Sequence, residues 1–262
     1  MLNVDDITVQ LGRKTILQNM TFAARPGALT AIVGSNGSGK TTLLRAMTGD
    51  VAYQGQITLN GHDIKALEPW QLADMRAVLP QASNLAFPFT VLEVVQIGLH
   101  CSSAANATQV PMQALVRVGL KDFANRTYQE LSGGEQQRVQ LARVLAQVWT
   151  PVSEGAPRWL FLDEPVSALD IAHQMQVMEI AKNFAQAGGG VVAVMHDLNL
   201  TAMFADVVII LLEGRITGVG SPARVMTDAV LSQAYGCSLR VGHTPPPGTP
   251  FILPHVAKAA AE

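Results

Sequence analysis

The chain has 262 residues, of which 48% are hydrophobic and only 15% are charged, and its formal net charge is −2. This composition excludes a mainly disordered chain, because disordered segments are poor in apolar residues and rich in charge. It also argues against nucleic-acid binding, which usually shows as clustered Lys and Arg, so we expect no nucleic-acid partner.

The first sixty residues are predicted to form mainly strands around one helix. Apolar and polar residues alternate between residues 7 and 22, as they do in half-buried strands. The apolar run 29–33 ends in glycine and is typical of a buried strand. A helix is predicted over residues 40–47, stopped by Gly49, and a further strand over 56–59.

The rest of the chain alternates helices with apolar strands. Residues of about 68–120 are predicted to be mostly helical, with proline breaks. The further predicted elements are a helix over 132–147, a buried strand over 159–162, a helix from about 170, a buried strand over 191–195 and a hairpin of 207–212 with 215–218. This alternation implies an α/β fold with a mainly parallel sheet. The early strands are expected to lie beside it as an antiparallel layer.

No apolar run is long enough to cross a bilayer. Runs such as 207–212 fall far short of the roughly 18 residues that a spanning helix needs. The first six residues include two aspartates where a signal peptide has a basic region and an apolar run. Cys101 and Cys237 form no CxxC or metal spacing, which favours a reducing compartment. We therefore expect a cytoplasmic protein.

A phosphate-binding loop is predicted between the strand at 29–33 and the helix that follows. The sequence fits G-x-x-x-x-G-K-[ST] at every fixed position. Its members are Gly34, Ser35, Asn36, Gly37, Ser38, Gly39, Lys40 and Thr41. Glycines let backbone N–H groups surround phosphate oxygens, and the helix N-terminus points at the same anion. Lys40 would contact the β- and γ-phosphates and Thr41 would bind Mg²⁺. The alternative is a merely flexible Gly/Ser loop.

Two strands end in residues suited to hydrolysis. Asp163 and Glu164 follow the apolar run 159–162, and His196 follows the run 191–195. Carboxyl ends of strands face the ligand crevice of α/β sheets. Asp163 would hold Mg²⁺, Glu164 would act as general base and His196 would contact the γ-phosphate. A solvated acidic turn and a structural histidine are the alternatives.

A second anion site is predicted at the start of the helix over 132–147. Ser132 and Glu135 form a capping box, and Gly133 and Gly134 let the backbone approach a phosphate closely. On spacing alone, a capped helix with nothing bound is the favoured interpretation.

These blocks, with Gln81 and the run 167–170, stand in the order of a known family. The set resembles the nucleotide-binding subunit of ABC transporters, with its phosphate loop, Q-loop, signature, Walker B, D-loop and H-loop. The resemblance covers roughly residues 1–240. It implies ATP and Mg²⁺ as ligands, and a head-to-tail homodimer that sandwiches ATP between one phosphate loop and the partner's signature.

The resemblance also implies a domain plan and further site residues. The ATPase domain would span 1–243 as a P-loop NTPase core, with a helical subdomain inserted at about 82–150 and a proline-containing tail at 244–262. Gln81 would serve catalysis and the metal, and Thr42 would bind nucleotide. Leu11 replaces the aromatic residue that stacks on adenine in the family, which predicts weak base discrimination because leucine lacks the ring-stacking contribution.

The absence of a span implies separate partners. A cassette of this kind docks on two permease subunits at the cytoplasmic face of the bacterial inner membrane, in a complex that includes a periplasmic substrate-binding protein. Phe87 and Phe89, on either side of Pro88, form a candidate docking anchor, unless they pack into the protein's own core.

The segment 81–98 resembles ATPases of iron-chelate, haem and cobalamin importers. The blocks 85–90 and 159–170 resemble the hemin importers most. Import of hemin is therefore expected, with ferric siderophore and cobalamin as alternatives. A non-transport ABC ATPase would usually have fused cassettes or a coiled coil, and residues between Thr41 and Ser132 show neither a heptad pattern nor a basic cluster. A regulatory protein without turnover is disfavoured by Glu164 and His196.

Overall fold

Strands and helices alternate along the computed structural model, which describes residues 1–82, 85, 87–99 and 108–253. The strands are β1 Leu2–Leu11, β2 Lys14–Ala24, β3 Leu29–Gly34, β4 Gln54–Leu59, β5 His62–Asp63, β6 Arg76–Leu79, β7 Val152–Ser153, β8 Ala156–Pro157, β9 Trp159–Asp163, β10 Gly190–Val194, β11 Val207–Leu212 and β12 Arg215–Gly220. The helices are α1 Lys40–Met47, α2 Pro69–Met75, α3 Val91–Leu99, α4 Val110–Arg117, α5 Gly133–Gln147, α6 Ile171–Gln186, α7 Leu198–Phe204, α8 Pro222–Val225 and α9 Asp228–Tyr235. Cys101 and tail residues 254–262 lie outside the described residues.

The main sheet contains six strands in the order β12-β11-β3-β10-β9-β6. Its strands are parallel, except that β12 returns antiparallel to β11. Strands β3, β9 and β10 are buried at every position, as expected when both faces of a parallel sheet are covered. The carboxyl ends of β3 and β9 lie on the same edge, where a ligand crevice forms in such sheets.

The early antiparallel layer is confirmed as a sheet of order β2-β1-β4-β5. It shares one hydrophobic core with α1 and one face of the main sheet, and helices α3 to α6 share the other core with the opposite face. Alternation along β9 divides its side chains between the two cores: Trp159 and Phe161 face the first, and Leu160 and Leu162 the second. Among the described residues, no helix is both long and apolar enough to cross a bilayer.

The prediction that residues 68–120 are mostly helical was wrong at one element. Residues 76–79 form β6, the edge strand that pairs in parallel with β9. Four residues between a helix and Pro80 are too few to display a periodicity, and the strand exists because β9 offers it hydrogen-bond partners. The helices α7, α8 and α9 were also not predicted.

Candidate functional site

The phosphate loop packs its backbone too closely for side chains at its first and last glycines. A Cβ on Gly34 would lie 2.3 Å from the carbonyl oxygen of Leu211 in the neighbouring strand. Gly39 has a φ of +101° and caps α1, and a Cβ there would lie 2.6 Å from Leu17 Cδ2. Glycine is therefore needed at both ends of the loop, which explains the fixed glycines of the motif.

The Lys40 side chain crosses back over this loop. It is buried, and its Nζ donates hydrogen bonds of 3.0 Å to the carbonyl oxygens of Gly34 and Ser35. Burial lowers the pKa of Lys40 from its ordinary value, and the carboxylates of Glu164 and Asp163 oppose the shift. Two carbonyl oxygens of the phosphate loop thus hold the Lys40 ammonium against the loop.

Thr41 and Asp163 bring the two kinds of oxygen that Mg²⁺ prefers to one place. The Thr41 hydroxyl donates to Asp163 Oδ1 at 3.2 Å, and Asp163 is buried at the end of β9. Burial raises the pKa of Asp163, while the Thr41 hydrogen bond and the charges of His196 and Lys40 lower it. A hydroxyl and a carboxylate beside a phosphate-binding loop fit a magnesium ion that also contacts phosphate oxygens.

Glu164 is held by two side chains from other elements. Gln81 Nε2, beyond the end of β6, donates to Glu164 Oε2 at 3.0 Å, and His196 Nε2 lies 2.6 Å from Glu164 Oε1. An ionised carboxylate only accepts hydrogen bonds, so His196 Nε2 carries the proton in this contact. The Glu164 side chain is 14% exposed. The structure brings Gln81, Glu164 and His196 together, and the Gln81 amide contacts Glu164 rather than the Thr41–Asp163 pair. The catalytic roles of the three residues stay predictions.

A cleft of about 620 Å³ opens between these groups. Its lining residues are Lys14, Ile16, Asn36, Gly37, Gly39, Lys40, Thr41, Thr42, Gln81, Glu164 and His196. Sequence reasoning missed Lys14 and Ile16. They alternate with the buried Leu17 along β2, so a period-two pattern was the available signal.

The predicted second anion site lies apart from this cleft. Ser132 caps α5: its hydroxyl donates to Glu135 Oε2 at 2.7 Å and accepts from the Glu135 N–H at 3.4 Å. Gly133 is exposed, and a Cβ built on it would meet no atom within 4 Å. Gly134 packs against the carbonyl oxygen of Ala168, 3.1 Å from its Cβ position. None of residues 132–134 is among the described residues that line the cleft.

Leu11 also lies outside the lining of the cleft. It ends β1, opposite Lys14 of β2, and it is 48% exposed. Its predicted contact with adenine stays a prediction, and Ile16 offers an apolar surface inside the cleft.

The two aromatic residues of the candidate docking anchor have different surroundings. Phe87 is 67% exposed, whereas Phe89 is half-buried and packs against the core beside α3 and α5. Their rings meet edge to face, with centroids 6.3 Å apart. Only Phe87 is open to a partner, so the anchor is smaller than the sequence suggested.

The amino-acid sequence of this chain is similar to sequences of known proteins along most of its length. The family model described as ABC transporter matches residues 17–167. The chain is 62% identical over 258 residues to the hemin import ATP-binding protein HmuV of Jannaschia sp. (strain CCS1), covering 98% of this chain and 96% of that protein. It is 53% identical over 262 residues to the protein of that name from Rhizobium etli, covering 98% of each.

Solved structures give the same similarity at the level of the backbone. One is the ATP-binding cassette MJ0796 in a dimeric post-hydrolysis state with ADP and Pi, at a TM-score of 0.73 and 26% identity, covering 85% of this chain and 99% of that one. Another is a metal-chelate type ABC transporter in an inward-facing conformation, at a TM-score of 0.73 and 26% identity, covering 89% and 88%.

Proposed function

The chain belongs to the ABC transporter family, and from that membership we propose that it is the ATP-hydrolysing subunit of an importer that takes up hemin through separate membrane permease subunits. The observation that carries ATP hydrolysis is the chain of contacts around the cleft, from Thr41 to Asp163 and from Gln81 through Glu164 to His196. The names of the curated relatives support hemin as the transported molecule.

The residues divide the chemistry of hydrolysis between them. The loop N–H groups and Lys40 bind the phosphates, and Thr41 and Asp163 would hold Mg²⁺, which neutralises phosphate charge when bound. Glu164 accepts a proton from the attacking water. At the same time the water oxygen bonds to the γ-phosphorus, and the bond between the γ-phosphorus and the bridging oxygen that leaves with ADP breaks. Gln81 and His196 orient the Glu164 carboxylate, whose oxygens each keep a second lone pair for that proton.

The open N-terminus of α5 supports a head-to-tail homodimer. Its N–H groups, beside Ser132 and Gly134, form an anion site, and none of residues 132–134 is among the described residues that line the cleft of the same chain. A second copy of the chain would present the triphosphate to it. A twofold dimer would repeat this contact, so that each nucleotide is enclosed by both chains. The related cassette MJ0796 is itself described as dimeric.

The proposed membrane complex joins the ATPase subunit to permease subunits and a substrate-binding protein. The ATPase domain at 1–243, with its helical subdomain at about 82–150, would dock on two permease subunits at the cytoplasmic face of the inner membrane, with Phe87 as one contact. A periplasmic substrate-binding protein would deliver the substrate to those permeases. The tail at 244–262 is assigned no role.

Transport by the complex with its own permease tests this function. Vesicles that hold the complex and internal MgATP should accumulate hemin, and should accumulate neither a ferric siderophore nor cobalamin. The complex with Glu164→Gln is the matched control, because it keeps the subunit and its size but lacks the base. Uptake of a siderophore or cobalamin in place of hemin would reassign the substrate. ATP hydrolysis without transport of any of the three would contradict the importer.

A further inference from the structure

The backbone of Glu164 is tied to helix α5 by one glutamine. Gln137 Nε2 donates a 3.0 Å hydrogen bond to the main-chain carbonyl oxygen of Glu164. Ser167 adds two bonds to the same oxygen, 3.2 Å from its hydroxyl and 3.4 Å from its N–H. The Ser167 bonds are local to the turn, whereas Gln137 reaches across from another element.

Glu164 needs such support because its backbone conformation is unfavourable. Its φ is +51°, in the left-handed region that residues with a Cβ rarely adopt, and its N–H donates to the Val194 carbonyl oxygen at 3.2 Å. The left-handed turn sets the direction of the Glu164 side chain as it leaves β9. A small rotation of this backbone would therefore move the carboxylate away from Gln81 and His196.

We propose that Gln137 is a positioning residue for hydrolysis, which holds the Glu164 backbone so that its carboxylate stays directed at the attacking water. This inference rests on the proposed ATPase function and extends it to a residue outside the nucleotide cleft. The bond also joins the general base to the helix whose first turn carries Ser132 and Gly134. The position of that helix therefore sets the position of the base in the same chain.

The same helix offers a matched control. Gln147, in the last turn of α5, uses its Nε2 in the same way, to donate to the carbonyl oxygens of Ala73 at 2.7 Å and Arg76 at 2.9 Å. Loss of either glutamine removes amide-to-carbonyl bonds between α5 and a neighbouring segment. Of these two glutamines of α5, Gln137 contacts Glu164 and Gln147 does not.

Steady-state ATPase measurements on the full chain separate positioning from stability. Gln137→Ala should lower kcat about 10-fold, since misplacement of a catalytic group is costly. The KM for ATP should stay within twofold, because Gln137 does not line the nucleotide cleft. Gln137→Glu keeps the size but sets a carboxylate against a carbonyl oxygen, so kcat should fall at least as far. Gln147→Ala should keep kcat within twofold, even where its melting temperature falls as much as that of the Gln137 variants.

Hydrogen–deuterium exchange provides a measurement that needs no turnover. The Ser167 amide donates to the same Glu164 oxygen as Gln137. Its exchange rate should be higher than in the wild type in both Gln137 variants, and should equal the wild-type rate in Gln147→Ala. Wild-type kcat in Gln137→Glu, or unchanged exchange at residues 163–170, would overturn the proposal. A wild-type chain without ATPase activity would instead contradict the proposed function, and the exchange data would still decide the role of Gln137.

Discussion

The cleft around the phosphate loop and the N-terminus of α5 are both proposed to bind an anion, but they differ in how complete they are. In the cleft, Lys40, Thr41, Asp163 and Glu164 all have hydrogen-bond partners from the same chain. At α5, the Ser132 hydroxyl is engaged by its own capping box, and Gly133 faces open space. The first region has its polar groups already in position, and the second is proposed to be one wall of a site that another chain completes.

This difference follows from the free-energy cost of burying charged groups, which applies to the cleft but not to the exposed end of α5. The cleft holds a buried ammonium and a buried carboxylate, which would be costly unless each already had partners. Helix N–H groups at the surface are solvated by water until an anion replaces it, so they need no partner within the chain. Substitutions in the cleft should therefore act on chemistry within one chain, and substitutions at α5 on the association of two.

Lys40→Ala tests the completeness of the cleft and should have the largest effect. The variant loses the charge at the centre of the loop, so both ATP binding and hydrolysis should fail, with kcat/KM lower by about 10³-fold or more. Titration with a fluorescent ATP analogue and a phosphate-release assay measure the two losses separately. Binding close to that of the wild type would show that the loop N–H groups alone hold the phosphates.

Glu164→Gln should separate binding from chemistry within the same cleft. The amide oxygen can still accept from His196, and a flipped Gln81 amide can accept from the new NH₂ group. The amide cannot take up a proton, so kcat should fall by about 10²- to 10⁴-fold while ATP affinity is retained. Single-turnover measurement of phosphate release checks this. Substantial residual turnover would transfer the role of base to another group, with His196 as the first candidate because it lies 2.6 Å from the carboxylate.

Ser132→Ala should have a smaller effect, of a different kind. Loss of the cap should destabilise α5 by about 1 kcal/mol, and ATPase activity should fall only several-fold because the helix N–H groups remain. Thr227→Ala is a matched control, since Thr227 caps α9 through a bond from the Val230 N–H. Thermal unfolding should shift similarly in both variants, while only Ser132→Ala should weaken ATP-dependent dimerisation in analytical ultracentrifugation. Equal dimerisation of the two would place the second wall of the nucleotide site elsewhere.

Sequence alone predicted the parts of this molecule whose structure is locally determined. The phosphate loop, the capping box of Ser132 and the buried strand ending at Asp163 each follow from short-range chemistry, such as glycine geometry, side-chain caps and apolar runs. Glu164 and His196 were singled out as residues at strand ends, whereas Gln81 was assigned to the site only through the family resemblance. The roles of these residues in binding and catalysis remain predictions.

Features that depend on a distant partner were missed. The strand β6 exists because β9 pairs with it, and Lys14 and Ile16 line the cleft because β2 runs beside the phosphate loop. Gln137 looks in the sequence like one more polar residue of a helix, and its bond to Glu164 depends on the packing of α5 against the turn after β9. Apart from the period-two pattern of β2, which sets Lys14 and Ile16 on the face opposite to Leu17, no local signal reports such contacts, since they join residues far apart in the chain.

The smallest predicted effect concerns Leu11, which pairs with the cleft residue Lys14 at the end of β1. Leu11 is exposed at the end of β1, so Leu11→Tyr should cost little stability, and its ring could stack on adenine. A stacking contact of about 0.5–1.5 kcal/mol corresponds to roughly 2- to 10-fold tighter ATP binding. Calorimetry in the Glu164→Gln background measures this without turnover, with Gln10→Tyr, its exposed neighbour on β1, as the control. Equal or weaker binding by Leu11→Tyr would show that adenine does not lie against Leu11. Ile16 of β2, which lines the cleft, would then be the next apolar surface to test.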